Sequence, residues 1–397
     1  MSPAVFIGAA RYRRPSYNAN HPLGIPRVSL TVDLLRAYGA LPDAEYLESR
    51  KAADFELGWF HTEDYLRAGK RIEASGRTSA ADRERYNLGN MENPAFAGFF
   101  TTAAIATGGT IQGAEEVLAG RMAFNPAGGM HHAPPHQARG FCYFNDPVLG
   151  ILRLRRAGWR VLYVDLDAHH GDGVENAFAD DPAVFTLSLH MDTARAYPFS
   201  GGQLHDWGQG EGEGYALNLP MPAGAHDDDF ETAFNALWGP VVDRFQPDAV
   251  VMQAGTDILL PDPLSKFRVS TQAFLRMAGR VQADAAPHLL VTGGGGYHPI
   301  ALARCWAGLW AQLSGRELDP ALPPEGREVL EAVDWDLDED EDWYPNLFVS
   351  RLDEPQRGPL HPEVSEALDR LGHHHPFLAR PRQAGRAPLE TDAGELP

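Results

Sequence analysis

The sequence predicts an α/β domain built on a central, mostly parallel β-sheet with helices on both faces. Three observations lead there. Short apolar runs recur without polar alternation and end in turn residues, as strands buried on both faces do. Longer amphipathic segments lie between them. The two kinds of segment alternate along the chain, which is the order of parallel strands joined by crossover helices.

Taken in order, residues 4–9 read as an opening strand and 28–38 as the first helix. Residues 147–156 form a helix that leads into the strand 161–166. A second strand covers 184–189, and a helix over 230–245 precedes the strand 249–253. The helix 271–283, the strand 289–292 and the helix 300–313 complete the domain, which spans residues 1–316. Beyond Gly315 prolines cluster, and residues 331–342 hold eight acidic side chains among twelve, with Trp335 and Trp343 in or beside them. Residues 317–397 are therefore expected to be an acidic, proline-rich extension, partly packed on the body. Its end, from about Pro376, has the composition of a disordered tail. His373, His374 and His375 read as a solvated loop, having no partner motif nearby.

Composition removes several function classes. The formal net charge of −20 argues against non-specific nucleic-acid binding, which needs basic surface. It suits a cationic partner, and also plain solubility. The two cysteines, Cys142 and Cys305, form no Cys-x-x-Cys pair, so neither a disulfide framework nor a cysteine-built metal site is expected. A reducing, cytoplasmic setting is the simplest inference. The chain opens on a strand-like segment without a basic region and long apolar run. No stretch reaches the roughly 20 apolar residues a membrane span requires. Oligomeric state is not legible.

Ligands of open α/β sheets gather at the carboxyl ends of the strands, and there the sequence is unusual. The strand 161–166 runs into Asp167-Ala168-His169-His170-Gly171-Asp172-Gly173. The strand 249–253 ends in Ala254-Gly255-Thr256-Asp257. The strand 289–292 ends in four glycines and Tyr297. A fourth cluster reads Gly128-Gly129-Met130-His131-His132-Ala133. All four are expected on one rim.

Asp167 and His169, two apart in extended chain, share a face. With Asp257 they give two carboxylates and one imidazole, a set that suits Zn²⁺ or Fe²⁺. Three protein ligands leave positions for water and substrate, as at a catalytic ion. As a bare pair, Asp167 and His169 read as a turn without metal; the neighbouring clusters reverse that. His131 and His132 are candidate general base and acid, with Asp165 and Asp172 available to fix their tautomers. Tyr297 supplies a phenol able to donate to a developing oxyanion. The glycine run 293–296 lacks the features of a phosphate-binding loop.

In this combination the words resemble the arginase/deacetylase superfamily, and within it the class I histone deacetylases and the bacterial acetoin-utilisation deacetylases. The matching stretches are residues 128–133, 141–146, 164–174, 253–257, 293–297 and 303–306, within a similarity from about 21 to 313. The resemblance implies an arginase/deacetylase-like fold and metal-dependent removal of acetyl groups from lysine in proteins. It implies Asp167, His169 and Asp257 as metal ligands, and His131, His132, Asp165, Asp172 and Tyr297 as the catalytic set. It further implies an acyl-lysine tunnel walled by Phe141 and Gly140 and by Tyr197 or Phe199, with Leu264 at the rim and Arg27 beside the cavity that releases acetate. A monovalent cation, K⁺ or Na⁺, falls at Asp165, Asp167, His169, Ser188 and Leu189. Where relatives usually carry Asp to hold the substrate backbone, this chain has Glu92, whose extra methylene shifts or removes that grip.

Three rival readings follow from the same residues. An acetylpolyamine amidohydrolase would take a small acetylated cation, which the acidity suits; the words at 141–146 and 303–306 favour the protein deacetylases. A non-catalytic acyl-lysine scaffold would be expected to lack a ligand, a histidine or the tyrosine, and none is missing. A two-metal guanidine hydrolase needs further aspartates.

Overall fold

A computed structural model describes residues 4–14, 17, 21–334 and 346–379 of the 397-residue chain. Eight strands form one sheet: β1 (Ala4–Gly8), β2 (Tyr46–Glu48), β3 (Met122–Asn125), β4 (Val161–Asp165), β5 (Val184–Met191), β6 (Ala216–Met221), β7 (Ala249–Gln253) and β8 (Leu289–Thr292). Their order is β2-β1-β3-β8-β7-β4-β5-β6. Every pair is parallel.

Both faces of this sheet are covered, which is why its strands read as unbroken apolar runs. Along β4, Leu162 and Val164 join a cluster that includes Leu34, Phe234, Phe274 and Trp310. These come from the helices Arg27–Ala37, Asp227–Phe245, Thr271–Ala285 and Pro299–Leu313. Val161 and Tyr163 join the opposite cluster with Val117, Val148 and Ile151, from the helices Phe99–Leu118 and Asp146–Arg155. Residue by residue, the strand alternates between two apolar layers.

The apolar character stops at one row. Asn125, Thr292, Gln253, Asp165, Ser188 and Asn218 are aligned neighbours across β3, β8, β7, β4, β5 and β6. All six are buried. This polar row crosses the carboxyl end of the sheet and marks where the core gives way to the site.

Strands β2, β3 and β6 and several helices, among them Glu63–Ser75 and Phe99–Leu118, lie outside the segments expected from the hydrophobic pattern. Strand β6 carries Asn218 and Pro220; a proline fits there because β6 is an edge. Strands β2 and β3 are only three and four residues long. The helix Phe99–Leu118 contains Gly108, Gly109 and Gly113, poor helix formers. Their reason is close packing: a Cβ on Gly108 would fall 1.9 Å from the Arg50 carbonyl oxygen.

At the carboxyl end, helices Pro324–Glu331 and Pro362–His374 lie on the body. The expectation of a solvated loop at residues 373–375 is corrected. His373 and His374 end a helix, and His375 is fully buried, with Nε2 2.8 Å from the Ala216 carbonyl. Burial of Phe377 against Phe185 and Tyr215 (ring centroids 4.9 and 5.6 Å) draws this stretch inward. Trp335, Trp343, most of the acidic run and residues 380–397 lie outside the described residues. Cys142 and Cys305 are both free and buried. Among the described residues no helix is long and apolar enough to cross a membrane.

Candidate active site

Asp167 and His169 follow β4, Asp257 follows β7, and Tyr297 follows β8. Adjacent placement of these strands brings the first three together, with ligand-type atoms within 4.8 Å of one another. His169 Nδ1 lies 2.9 Å from Asp257 Oδ2 and 3.2 Å from Asp167 Oδ1. Both carboxylates are buried, an arrangement that is costly without a compensating cation. Burial opposes ionisation of Asp167, yet the His131 and His169 imidazoles outweigh it and hold its carboxyl well below the usual range. Asp257, buried beside that charge, is pushed up to about 6. Two carboxylates and one imidazole facing inward thus fit a divalent ion of the Zn²⁺ or Fe²⁺ class.

His131 and His132 stand beside these ligands on the loop after β3. His131 Nδ1 is 2.9 Å from Asp165 and His132 Nδ1 is 2.8 Å from Asp172. The carboxylates accept from both Nδ1–H groups, so the two Nε2 atoms face each other at 3.0 Å with room for one proton between them. The rings are not equivalent. Burial works against protonation of His131, but Asp165 and Asp167 overcome it and raise its pKa to about 9. Burial and the neighbouring His131 charge lower that of His132 to about 4. Arg139, 2.8 Å from Asp172, offsets the carboxylate beside His132.

A small pocket is bounded by Phe141, Gly140, Tyr297, His131, His132 and Asp167, among others. Tyr297 is buried, which raises its pKa well above the ordinary phenol value and keeps its hydroxyl protonated. Of the two candidates for the second wall, Tyr197 lies against the His132 ring at 4.9 Å. Phe199 is 67% exposed and further out. Gly140 has a positive φ of 55°; a Cβ there would strike the His132 ring and the Tyr197 hydroxyl. Leu264, 40% exposed, stands at the surface. Glu92 is already engaged: Oε1 accepts from the Gly140 amide at 2.6 Å, and Oε2 from Asn87 Nδ2 at 3.0 Å.

A larger cavity of about 260 Å³ adjoins the pocket, sharing Leu23, Arg27, Met130 and Phe141 with it. The buried Arg27 guanidinium donates to the Gly294 carbonyl at 2.5 Å and lies over Trp306. Asp165 and Ser188 are aligned neighbours on β4 and β5, so the residues assigned to a monovalent cation share one end of the sheet.

Three buried side chains had no role in the sequence reading. Gln253 donates to Asp167 Oδ2 at 2.6 Å and accepts from the Gly255 amide. Asp262 accepts from the Tyr297 amide at 2.7 Å. Asp146 accepts from the amides of Gly129 and Met130, holding the histidine loop. Gln253 and Asp146 fall inside the matching stretches 253–257 and 141–146, whereas Asp262 left no trace in the sequence. Side chains that hydrogen-bond a metal ligand from behind typically contribute 10–100-fold in affinity. Gln253→Leu is accordingly expected to weaken metal binding by roughly 10–100-fold, read by competition with a chromophoric chelator. Unchanged affinity would remove Gln253 from that role.

The chain is similar to known proteins in sequence and in fold. The model of the histone deacetylase domain matches residues 21–313. The chain is 36% identical over 334 residues to the acetoin utilization protein AcuC of Bacillus subtilis (strain 168), covering 82% of this chain and 86% of that protein. It is 37% identical over 322 residues to histone deacetylase 8 of Xenopus tropicalis, covering 80% and 86%. The crystal structure of an HDAC homolog from Aquifex aeolicus matches with a TM-score of 0.88 at 42% identity, covering 93% of this chain and 99% of that one. An HDAC homolog complexed with SAHA gives a TM-score of 0.89 at the same identity and coverage.

Proposed function

The chain belongs to the histone deacetylase family, and from this we propose that it hydrolyses the acetyl amide on the ε-amino group of lysine in proteins. The observation that carries the reading is the meeting of Asp167, His169 and Asp257 with the His131–His132 doublet and Tyr297 around one pocket. Asp167, His169 and Asp257 would hold Zn²⁺ or Fe²⁺. When bound, such an ion polarises the acyl carbonyl and lowers the pKa of water from about 15.7 toward 7.

The remaining work falls to the chain's own side chains. Phe141 and Tyr197 flank the aliphatic stem of acetyl-lysine, with Gly140 leaving space between them and Leu264 at the mouth. Tyr297 donates its hydroxyl proton as a hydrogen bond to the oxygen that gains negative charge. His131, between Asp165 and Asp167, stays protonated. His132 Nε2 therefore takes the proton of the attacking water. As the C–N bond breaks, that proton passes to the departing amine, giving free lysine and acetate. Arg27, which lines both the pocket and the adjoining cavity, offers the acetate a cationic exit. Asp165, Asp167, His169, Ser188 and Leu189 would hold K⁺ or Na⁺ at the ends of β4 and β5. Glu92 stiffens the wall through Gly140 rather than reaching for a peptide backbone.

That last contact, together with the net charge of −20, also favours a second reading in which the substrate is a small acetylated polyamine. Acetate release from an acetyl-lysine peptide and from acetylspermidine, measured in parallel, separates the two. The peptide is expected to have the higher kcat/KM. A preference for acetylspermidine would replace the substrate class, and no acetate from either would remove the catalytic reading.

A further inference from the structure

A second group of metal-ligating side chains lies at the β6 edge of the molecule. His226 sits at the N-cap of helix Asp227–Phe245, and Asp229 is on its first turn. His361 comes from the C-terminal segment. Ligand-type atoms of the three lie within 4.8 Å of one another. Asp229 is fully buried and accepts the backbone amides of His226 at 2.9 Å and His361 at 2.8 Å. His361 Nδ1 lies 2.8 Å from the same carboxylate.

The state of His226 makes this more than a helix cap. Its Nε2 lies 3.2 Å from the Pro359 carbonyl oxygen, which can only accept. Nε2 therefore carries a proton, and in the neutral ring Nδ1 carries the lone pair. That nitrogen is buried without a hydrogen-bond partner, yet it stands 3.2 Å from Asp229 Oδ2. Nδ1 and the carboxylate oxygen thus face each other away from water, where a shared proton or a metal cation satisfies both. Gly358 permits the close approach, since a Cβ there would lie 2.6 Å from His226 Nε2. Arg357 is turned to Asp228 and Glu231, and the three successive aspartates of the first turn counter the positive end of the helix.

We infer that His226, Asp229 and His361 form a second site for a transition-metal dication of the Zn²⁺ class, fastening residues 354–361 to the body. Two imidazoles and one carboxylate select such ions over Mg²⁺ or Ca²⁺. His361, 30% exposed at its side chain, leaves an approach for the ion and for a completing water. Binding displaces the proton of His361 Nδ1.

The test is isothermal titration of metal-stripped, full-length protein with Zn²⁺. The wild type is expected to take two equivalents. His361→Gln is expected to lose one of them while its acetate release is unchanged. Asp257→Ala is expected to lose the other, which keeps failure of this site distinct from failure of the catalytic reading. His226→Gln gives the same comparison through a second variant. If the His361 and His226 variants, folded by circular dichroism, bind as many equivalents as the wild type, the assignment is overturned. It is equally overturned if the equivalent disappears instead with His373→Ala/His374→Ala.

Discussion

Replacing His132 with alanine is expected to lower kcat by roughly 10²–10⁴-fold, the usual contribution of a positioned general base. KM and metal content should stay close to wild type, because His132 is neither a tunnel wall nor one of the three ligands. The expectation comes from the doublet's asymmetry. With 3.0 Å between the Nε2 atoms, one ring must present a lone pair. His131, between two carboxylates, is the better home for the positive charge, whereas Asp172 is already neutralised by Arg139. Stopped assays of acetate release with a metal determination on the same sample would measure the effect. A folded, metal-loaded variant within about tenfold of wild type, well short of the loss expected for a general base, would transfer the role to another group.

Tyr297→Phe is expected to cost on the order of 10²–10³ in kcat, as the loss of one oxyanion donor does. The ring still fills its place near Phe141, with centroids 6.1 Å apart. Asp262 still holds the backbone amide, so folding should be unaffected. Burial keeps the phenol protonated far above its ordinary range, and no loss of the donor by ionisation is expected across the working pH range. A drop in kcat without a comparable rise in KM is the signature, since the bond strengthens only as charge develops. Near-normal turnover would show that the hydroxyl is a bystander.

Most of the site was readable because its residues sit in short words at strand ends. Asp167 and His169 are two apart, His131 and His132 are adjacent, and Tyr297 closes a glycine run. What was hidden acts through space. Asp262 reaches Tyr297 across 35 positions and belongs to no recognised word; Gln253 opens one, but its hold on Asp167, 86 positions away, does not show there. Glu92 was visible as a departure, but its attachment to Gly140, 48 positions away, was not. The same holds for the fold. Strands β4, β5, β7 and β8 announce themselves by continuous apolar character, while β6 conceals itself with Asn218 and Pro220. His375 gives no sign of burial, because its place depends on Phe377 docking among aromatic residues far away in sequence.

The aligned polar residues from Asn125 to Asn218 also bear on how the sheet finds its pairing. Strands that are apolar on both sides discriminate poorly between sliding positions, because a shift by one still buries hydrocarbon. A shifted strand here would carry an amide, hydroxyl or carboxylate down among aliphatic side chains with nothing to bond, at about 1–3 kcal/mol for each stranded group. The groups that open the site thus serve as a vernier for the whole sheet, and a strand that mates wrongly is penalised before any substrate arrives.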